Sequence, residues 1–366
     1  MAGATPGVLR PFVRPFRRSV LGLGALLVAA VALRAGESDG RLDIYWVDVE
    51  GGAATLIVTP AGESILVDTG LPGERDPGRI HHLATRIAKL ERIDHLVVTH
   101  FDRDHFGGTA DLLEKIPVGR VYDPGFPGNH PFDRRTGELL ERYRAATRGK
   151  RWVLRPGETI PLRQPEGPVR QTEGAPRLSI RCLAAKQHFV TPRGGQVGGE
   201  LCGEIDARDP DRSENRNSIV LLVTLGEFDL LDAADLTWNL ERQLVCPVNL
   251  VGTVDVYQAD HHGLDSSNNP VLVRRIEPRV AVVNNGPRKG CMPNTFRTLE
   301  ACPSIRAIYQ LHRNLRSKES NTVAERIANE EADCKAAYIK LSVDPRGESY
   351  TVTVPSKGHQ QTYETK

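Results

Sequence analysis

Histidines and aspartates crowd one short segment of the chain, between Thr99 and Gly108. Its sequence is THFDRDHFGG, and imidazole or carboxylate groups stand at His100, Asp102, Asp104 and His105. The preceding apolar run, residues 93–98, has the pattern of a buried strand. Such polar groups at the end of a buried strand are costly unless a cation lies between them. The segment therefore predicts a pair of divalent metal ions and, with it, a hydrolase.

Other predicted strands end in side chains of the same kind. These side chains are Asp68, Asp235 and the neighbouring His261 and His262. We expect the ends of all these strands to lie at one edge of the fold. The groups that follow them should then converge with the segment that contains His100.

Strands and helices alternate along the chain, which favours a layered α/β architecture. Two half-sheets with helices outside them predict a four-layer αββα sandwich. A single domain is expected from residue 41 to 355, followed by a polar C-terminal tail at 356–366. Residues 123–215 are rich in Pro, Gly and Arg and contain one predicted helix at 137–147. The rest of that region is expected to consist mostly of loops.

The first 35 residues have the composition of an export signal. They contain five arginines and no acidic residue, and an apolar run extends from Val20 to Leu33. That run is short for a membrane span and suits a signal peptide. Arg17 and Arg18 resemble a twin-arginine signal. We expect a periplasmic or extracellular protein with no further membrane segment; an uncleaved anchor or a buried helix is the alternative for this segment.

The composition is that of a soluble globular protein, and the formal net charge of +2 arises from the N-terminal segment. The remainder is mildly acidic, so no stable nucleic-acid partner is expected. Six cysteines fit an oxidising compartment, with buried free thiols as the alternative. Arg288 and Lys289 are expected on a solvated basic face, with contact to an anionic substrate as the alternative. His312 is expected at the surface, or else lining a pocket.

The motifs together resemble the metallo-β-lactamase superfamily. The segment from His100 to His105 is similar to the signature H-x-H-x-D-H, with aspartate as the second ligand. This form resembles the hydrolase domain of ComEC-type DNA-uptake proteins. Three further segments resemble motifs of that subgroup in the same order: Asp48-Val49 with Gly51-Gly52, Glu214 to Ser218, and His261-His262-Gly263 with Ser266-Ser267. The resemblance covers roughly residues 41–300.

The resemblance implies a dinuclear metal centre. Its ligands by position are His100 and Asp102 for the first ion, Asp104, His105 and His262 for the second, and Asp235 as the bridge between them. Zinc is expected, with manganese or iron as alternatives because the extra carboxylate makes the first site harder. Asp104 would also steer the attacking water, which makes it the candidate catalytic residue.

The resemblance leaves the third ligand of the first ion open. Asn215 or Ser218 lies nearest to the position of the usual histidine, and His188 is a competing candidate. His261 remains a possible ligand or a supporting residue. Asp68 is expected to hold the imidazoles of the ligand loop in place through hydrogen bonds.

The implied activity is hydrolysis of phosphodiesters or related anionic substrates, small molecules or oligonucleotides. Departures from the subgroup's motifs weaken a specific nuclease assignment: Ala53, Ala234, Leu264 and Met292. A lactone, thioester or ester hydrolase is the first alternative, since one fold hosts many substrates. A non-catalytic metal-binding exported protein is the second. The sequence does not determine the oligomeric state.

Overall fold

The computed structural model describes residues 1–4, 7, 39–126, 132–164, 176–192, 199–203 and 207–366. The predicted export signal at 1–35 lies almost entirely outside these residues. The chain divides into a short unit at 1–32 and a large unit at 33–366, and all elements below belong to the large unit. Within the described ranges, no helix has the length and apolarity needed to cross a membrane.

The strands, in chain order, are β1 (Leu42–Trp46), β2 (Thr55–Val58), β3 (Ser64–Val67), β4 (Ile93–Val97), β5 (Val118–Asp123), β6 (Arg151–Val153), β7 (Ser179–Ala185), β8 (His188–Phe189), β9 (Val220–Leu225), β10 (Phe228–Asp232), β11 (Val256–Gln258), β12 (Val280–Val283), β13 (Ala307–His312), β14 (Ile327–Asn329), β15 (Ile339–Val343), β16 (Ser349–Val354) and β17 (His359–Glu364). The α-helices are α1 (Arg75–His82), α2 (Arg103–Phe106), α3 (Thr109–Leu113), α4 (Arg134–Ala146), α5 (Trp238–Val245), α6 (Pro270–Ile276) and α7 (Pro293–Glu300).

The strands form two mixed sheets. One has nine strands in the order β17-β16-β15-β1-β2-β3-β4-β5-β6, and the other has eight in the order β14-β13-β12-β11-β10-β9-β7-β8. Strands β3 to β6 run parallel to one another, as do β10 to β14. Parallel neighbours end at the same edge of a sheet, so each sheet can present several loops on one side.

Three apolar layers confirm the four-layer α/β sandwich. The alternation of β1 sends Ile44 and Trp46 into the core between the sheets and Tyr45 to the outer face. Helices α1, α3 and α4 cover the outer face of the nine-stranded sheet, and α5 to α7 cover that of the other. At the edge of the inner core, Trp46 Nε1 donates to Gln258 Oε1 at 2.7 Å, which joins the two sheets.

Two regions differ from the sequence-based expectation. The segment expected to be a polar tail contains β17, which pairs along its whole length with β16 and packs Tyr363 against Tyr350. The region expected to be mostly loops contains β6, β7 and β8. The alternation of apolar and polar residues does not identify β7 in the sequence. The register of β7 against β9 shifts between Cys182 and Ala184, and this shift breaks the period-two alternation.

The cysteines divide between the two interpretations left open by the sequence. Cys202 and Cys246 form a disulfide that links a short helical turn to the end of α5. The other four cysteines are free thiols. Cys182, Cys291 and Cys302 are buried, and Cys334 is partly exposed.

Candidate active site

The strand-end residues converge at the edge between the two sheets. Asp68 follows β3, and the segment that contains His100 follows its parallel neighbour β4. Asp235 follows β10, and the pair His261 and His262 follows the parallel neighbour β11. Each sheet therefore supplies two adjacent loops to the same place.

The carboxylate of Asp235 lies at the centre of the cluster. Its Oδ2 atom is 3.1 Å from His105 Nε2, 3.4 Å from His261 Nε2, 3.5 Å from His262 Nε2 and 3.9 Å from His100 Nε2. Asp235 is buried, and three of these imidazoles are completely so. Four imidazole nitrogens around one carboxylate oxygen form a donor set suited to a cation.

The other two aspartates lie on different sides of this centre. Asp104 Oδ2 is 3.3 Å from His262 Nε2 and 3.9 Å from His105 Nε2. Asp102 Oδ2 is 3.8 Å from His100 Nε2. The six residues implied as ligands by the resemblance are therefore brought together. Two groups of three have ligand atoms within 4.8 Å of one another, and they share His105: His100, His105 and Asp235, and Asp104, His105 and His262.

The donor atoms meet the requirements of metal ligands. His100 Nε2 is buried and has no hydrogen-bond partner among the described residues. Burial, reinforced by neighbouring His105, lowers the pKa of His100 to about 3, so its ring is neutral with a free lone pair. Although burial opposes ionisation, the surrounding histidines hold the pKa values of Asp104 and Asp235 well below their usual range. Although burial opposes its ionisation, the carboxylates of Asp235 and Asp68 raise the pKa of His105 well above its usual value, so a divalent ion that binds here must displace a proton from this ring.

Asp68 fixes the orientation of the second group. One of its oxygens lies 2.7 Å from His105 Nδ1 and accepts a 2.7 Å hydrogen bond from the Thr99 hydroxyl. The other oxygen accepts from the Thr99 backbone N–H at 2.8 Å. With Nδ1 held by Asp68, His105 Nε2 faces Asp235 at the centre of the cluster. The sequence predicted this supporting position for Asp68.

An unusual backbone conformation directs both tandem histidines to the same place. His261 and His262 have φ values of 52° and 55°, in the left-handed region that few non-glycine residues adopt. Residues at successive positions usually point apart, and these dihedral angles bring both Nε2 atoms to Asp235. His261 Nδ1 lies 3.0 Å from the Ser266 hydroxyl, which holds the ring in place.

Asn215 lies beside this arrangement. Its Nδ2 atom is 3.4 Å from His261 Nε2, while its Oδ1 and the Ser218 hydroxyl are buried without a hydrogen-bond partner among the described residues. The segment bonds to the ligand loop through the Ile219 N–H and the Thr99 carbonyl. The competing candidate His188 is exposed on β8, the edge strand of its sheet, three strands away from β10.

Comparison with known proteins agrees with this arrangement. Residues 47–178 match the family model of the metallo-beta-lactamase superfamily. The match covers the part of the chain that contains Asp68 and the segment from His100 to His105. The superfamily consists generally of metal-dependent hydrolases, and the candidate metal ligands of this chain lie close together in the structure.

Two curated relatives extend over most of this chain. Recombination protein 2 of Haemophilus influenzae is 24% identical over 289 residues, which are 77% of this chain and 29% of that protein. ComE operon protein 3 of Bacillus subtilis is 22% identical over 265 residues, which are 68% of this chain and 29% of that protein. The chain thus spans less than a third of the length of these relatives.

Among solved structures, the diiron β-hydroxylase CmlA from Streptomyces venezuelae is 21% identical to this chain. The match covers 66% of this chain and 44% of that one, with a TM-score of 0.37. A likeness at this level supports no inference.

Lys289 is a site residue that the sequence-based interpretation placed elsewhere. Its ammonium group contacts Asp104 Oδ2, and the side chain lines a cavity of about 610 Å³ next to Asp102. Of the two positions that the sequence left open, a solvated basic face and contact with the site, the structure favours the second for this residue, whose side chain stays 39% exposed. The sequence does contain an indication that Lys289 lies near the site. Lys289 belongs to a basic turn bounded by Gly286 and Gly290, and glycines at both ends allow the backbone of a turn to approach its neighbours closely.

Gly290 packs directly against His262, one of the candidate metal ligands. A Cβ atom at Gly290 would lie 2.0 Å from the His262 carbonyl oxygen, and its φ is +83°. We expect Gly290→Ala to displace His262 and to lower the hydrolase rate by about 100-fold, because a shift of about 1 Å in a reacting group has that effect. The free energy of unfolding should fall by about 1–3 kcal/mol.

Gly252→Ala is the matched control for Gly290→Ala. Gly252 has a similar φ of +89°, and a Cβ there would meet nothing within 4 Å. Steady-state rates and denaturant unfolding of both variants separate the two effects. Equal losses of rate in both would show that backbone strain alone, and not the displacement of His262, is responsible.

Proposed function

We propose that this protein is a hydrolase that uses two divalent metal ions to activate water, with phosphodiesters or related anionic molecules as substrates. The observation that carries the proposal is the position of Asp235, whose Oδ2 atom has four imidazole Nε2 atoms within 3.9 Å. Such a carboxylate suits a bridge between two ions. Asp102 and Asp104 stand on either side as ligands of separate ions.

His261 completes the proposed first site. Its Nε2 atom lies 3.4 Å from Asp235 Oδ2, on the centre that His100 also faces. We assign His100, Asp102 and His261 to the first ion, with Asp104, His105 and His262 on the second. His261 thereby takes the place of the histidine that the superfamily pattern lacks in this chain.

When bound, the two ions would lower the pKa of a water and polarise the group under attack. Side chains of the protein would orient the metal ligands and the attacking water. Asp68 holds the His105 ring, and the ionised carboxylate of Asp104 accepts a hydrogen bond from the attacking water and orients it. The burial of His100, His105 and His262 keeps the dielectric low around the reacting atoms, which strengthens each electrostatic contact.

The cavity beside the ligands favours an anionic substrate. Its lining contains three cationic side chains, and it also contains four carboxylates, of which Asp102 and Asp104 would be neutralised by the ions: Lys289, Arg103 and Arg135, and Glu50, Asp102, Asp104 and Asp133. Ion pairs between such cationic groups and a phosphate or carboxylate are stronger than neutral hydrogen bonds. The names of the curated relatives, a recombination protein and a ComE operon protein, add support for a phosphodiester derived from nucleic acid.

We also propose that the protein acts outside the cytoplasm. The arginine-containing apolar segment at the N-terminus supports export. The disulfide between Cys202 and Cys246 fits an oxidising compartment.

Metal analysis followed by a substrate panel tests the proposed function. We expect two ions per chain at the Asp235 centre and turnover of bis(p-nitrophenyl) phosphate and short single-stranded DNA. A chelator should abolish the turnover, and added metal should restore it. Hydrolysis of lactones or thioesters without any phosphodiester turnover would contradict the substrate class. Bound metal without turnover of any of these would favour a non-catalytic role.

Lys289 is expected to bind the anionic group of the substrate. Lys289→Ala should lower kcat/KM for a phosphodiester by about 10- to 100-fold, the value of a charge-assisted hydrogen bond. The effect should fall mainly on KM, since Lys289 does not hold the attacking water. Steady-state kinetics on an anionic and a neutral ester would measure it.

The control for Lys289→Ala is Lys357→Ala. Lys357 is also ion-paired, with Glu330 at 2.9 Å, and it lies before β17 at the outer edge of the nine-stranded sheet. Its replacement should leave the kinetics unchanged. An equal loss for charged and neutral esters in Lys289→Ala would mean that the lysine acts only by holding Asp104.

A further inference from the structure

A second group of metal-ligand side chains lies outside the dinuclear centre. Asp48 follows β1, His312 ends β13, and Cys334 lies in the segment after β14. Asp48 Oδ1 is 2.6 Å from His312 Nε2, and Asp48 Oδ2 accepts from the Cys334 thiol at 3.0 Å. Asp48 and His312 are completely buried, so the expected surface position of His312 is wrong. The cluster shares no residue with the site around Asp235.

We propose that Asp48, His312 and Cys334 bind a single zinc-type divalent ion, separate from the dinuclear pair. One carboxylate, one imidazole and one thiol are ligands that zinc takes in proteins, and the thiolate favours a softer ion than carboxylates do. Because Cys334 is partly exposed, a water could occupy the fourth coordination position of the ion, on the side where Cys334 lies.

The distances in this cluster suit a tetrahedral ion after a small adjustment. Zinc ligands lie about 2.0–2.3 Å from the ion, which places them about 3.5 Å from one another. The ligand atoms of Asp48, His312 and Cys334 all lie within 4.8 Å of one another, and the two closest pairs are hydrogen-bonded. Replacing these hydrogen bonds by an ion needs side-chain shifts of only about 1 Å.

The neighbouring cation, Arg79, does not oppose such an ion. Arg79 donates to Asp48 Oδ2 at 3.1 Å and to Cys334 Sγ at 3.9 Å, and it pairs with Glu50 Oε1 at 2.8 Å. Arg79 therefore keeps an anionic partner when a divalent ion takes up the charge of Asp48. The carboxylate and the thiolate together balance the charge of the ion.

A nucleophilic cysteine is a poorer interpretation of the same cluster. The His312 ring faces Asp48, and the group that lies against the thiol is the Asp48 carboxylate, whose negative charge disfavours a thiolate. Burial and the Asp48 carboxylate raise the pKa of Cys334 to about 11, the opposite of an activated thiol.

The ion would tie the two sheets together beside the active centre. Asp48 continues β1 of the nine-stranded sheet, and His312 ends β13 of the other. From Asp48 the chain runs to Ala53, whose N–H donates to the Asp104 carbonyl at 3.0 Å. An ion on Asp48 would thus steady the loop that packs against the ligand segment.

Cobalt titration of the purified metal-free protein tests the proposal. The dinuclear centre has only nitrogen and oxygen donors, so a thiolate-to-cobalt charge-transfer band in the near ultraviolet reports on the second cluster alone. We expect three equivalents of cobalt and this band in the wild type. Cys334→Ala should bind two equivalents without the band. No reductant is added, so that the disulfide between Cys202 and Cys246 stays closed.

Cys302→Ala is the control variant. Cys302 is a free cysteine buried beside Ser304, away from the cluster, and its replacement should leave the third equivalent and the band intact. Thiol labelling gives a second readout, since the other free cysteines are buried; zinc should slow the labelling of Cys334. A wild type without the band, or a Cys334→Ala variant that retains three equivalents, would overturn the proposal. Neither result depends on hydrolase activity.

Discussion

Replacing Asp235 with asparagine is expected to empty the proposed dinuclear centre and to lower the proposed hydrolase activity by at least about 100-fold. Even residues that only support metal ligands contribute about 10- to 100-fold, and Asp235 faces the ligands of both ions. Asparagine keeps the size of the side chain but removes the charge that four imidazoles surround. Metal content by elemental analysis and the rate with a phosphodiester would measure the effect.

Asp209→Asn is the matched control for Asp235→Asn. Asp209 is exposed in the loop before the Glu214 segment, and the same change there should leave metal content and rate unaltered. Circular dichroism of both variants checks that the fold persists. A variant at Asp235 that keeps two ions and full activity would refute the bridging role.

Replacing His261 with alanine is expected to remove one of the two ions and to leave the other. The first ion would keep His100 and Asp102 but lose its third ligand, and Asn215 is too weak a donor to replace an imidazole. The ligands proposed for the second ion, His105 among them, would be unchanged. The metal content should fall from two ions to one at this centre, and the rate should fall by at least about 100-fold.

His188→Ala separates the two candidates for the third ligand. His188 is exposed on β8, so its removal should change neither metal content nor rate. Calorimetric titration of each variant with zinc would count the sites. The assignment of His261 fails if its removal leaves two ions in place, and the loss of an ion from His188→Ala would transfer the role to that residue.

Much of the site could be predicted because it follows local rules. Buried strands give apolar runs, and a polar ligand placed directly after such a run must lie at a sheet edge. This reasoning located the segment from His100 to His105, and also Asp68 and Asp235. The same alternation of strands and helices predicted the αββα sandwich, which the three apolar layers confirm.

Other parts of the fold could not be predicted because their sequence pattern is disturbed or weak. The register shift in β7 moves successive side chains to unexpected faces. Strand β17 is rich in polar residues because it lies at a sheet edge, where only Tyr363 is buried. In both cases the pairing with a neighbouring strand, and not the segment's own pattern, determines the structure.

The sequence by itself determined which chemical groups stand at the strand ends, and therefore that a metal centre should form there. Only the tertiary structure decided that His261 joins His262, since this depends on two left-handed backbone residues. It also decided that Lys289 contacts Asp104 and that Asp48 meets His312 and Cys334. Those partners are 185, 264 and 286 residues apart in the chain. Spacing along a sequence reports on neighbours within one element, whereas contacts between the two sheets arise only when their shared core packs.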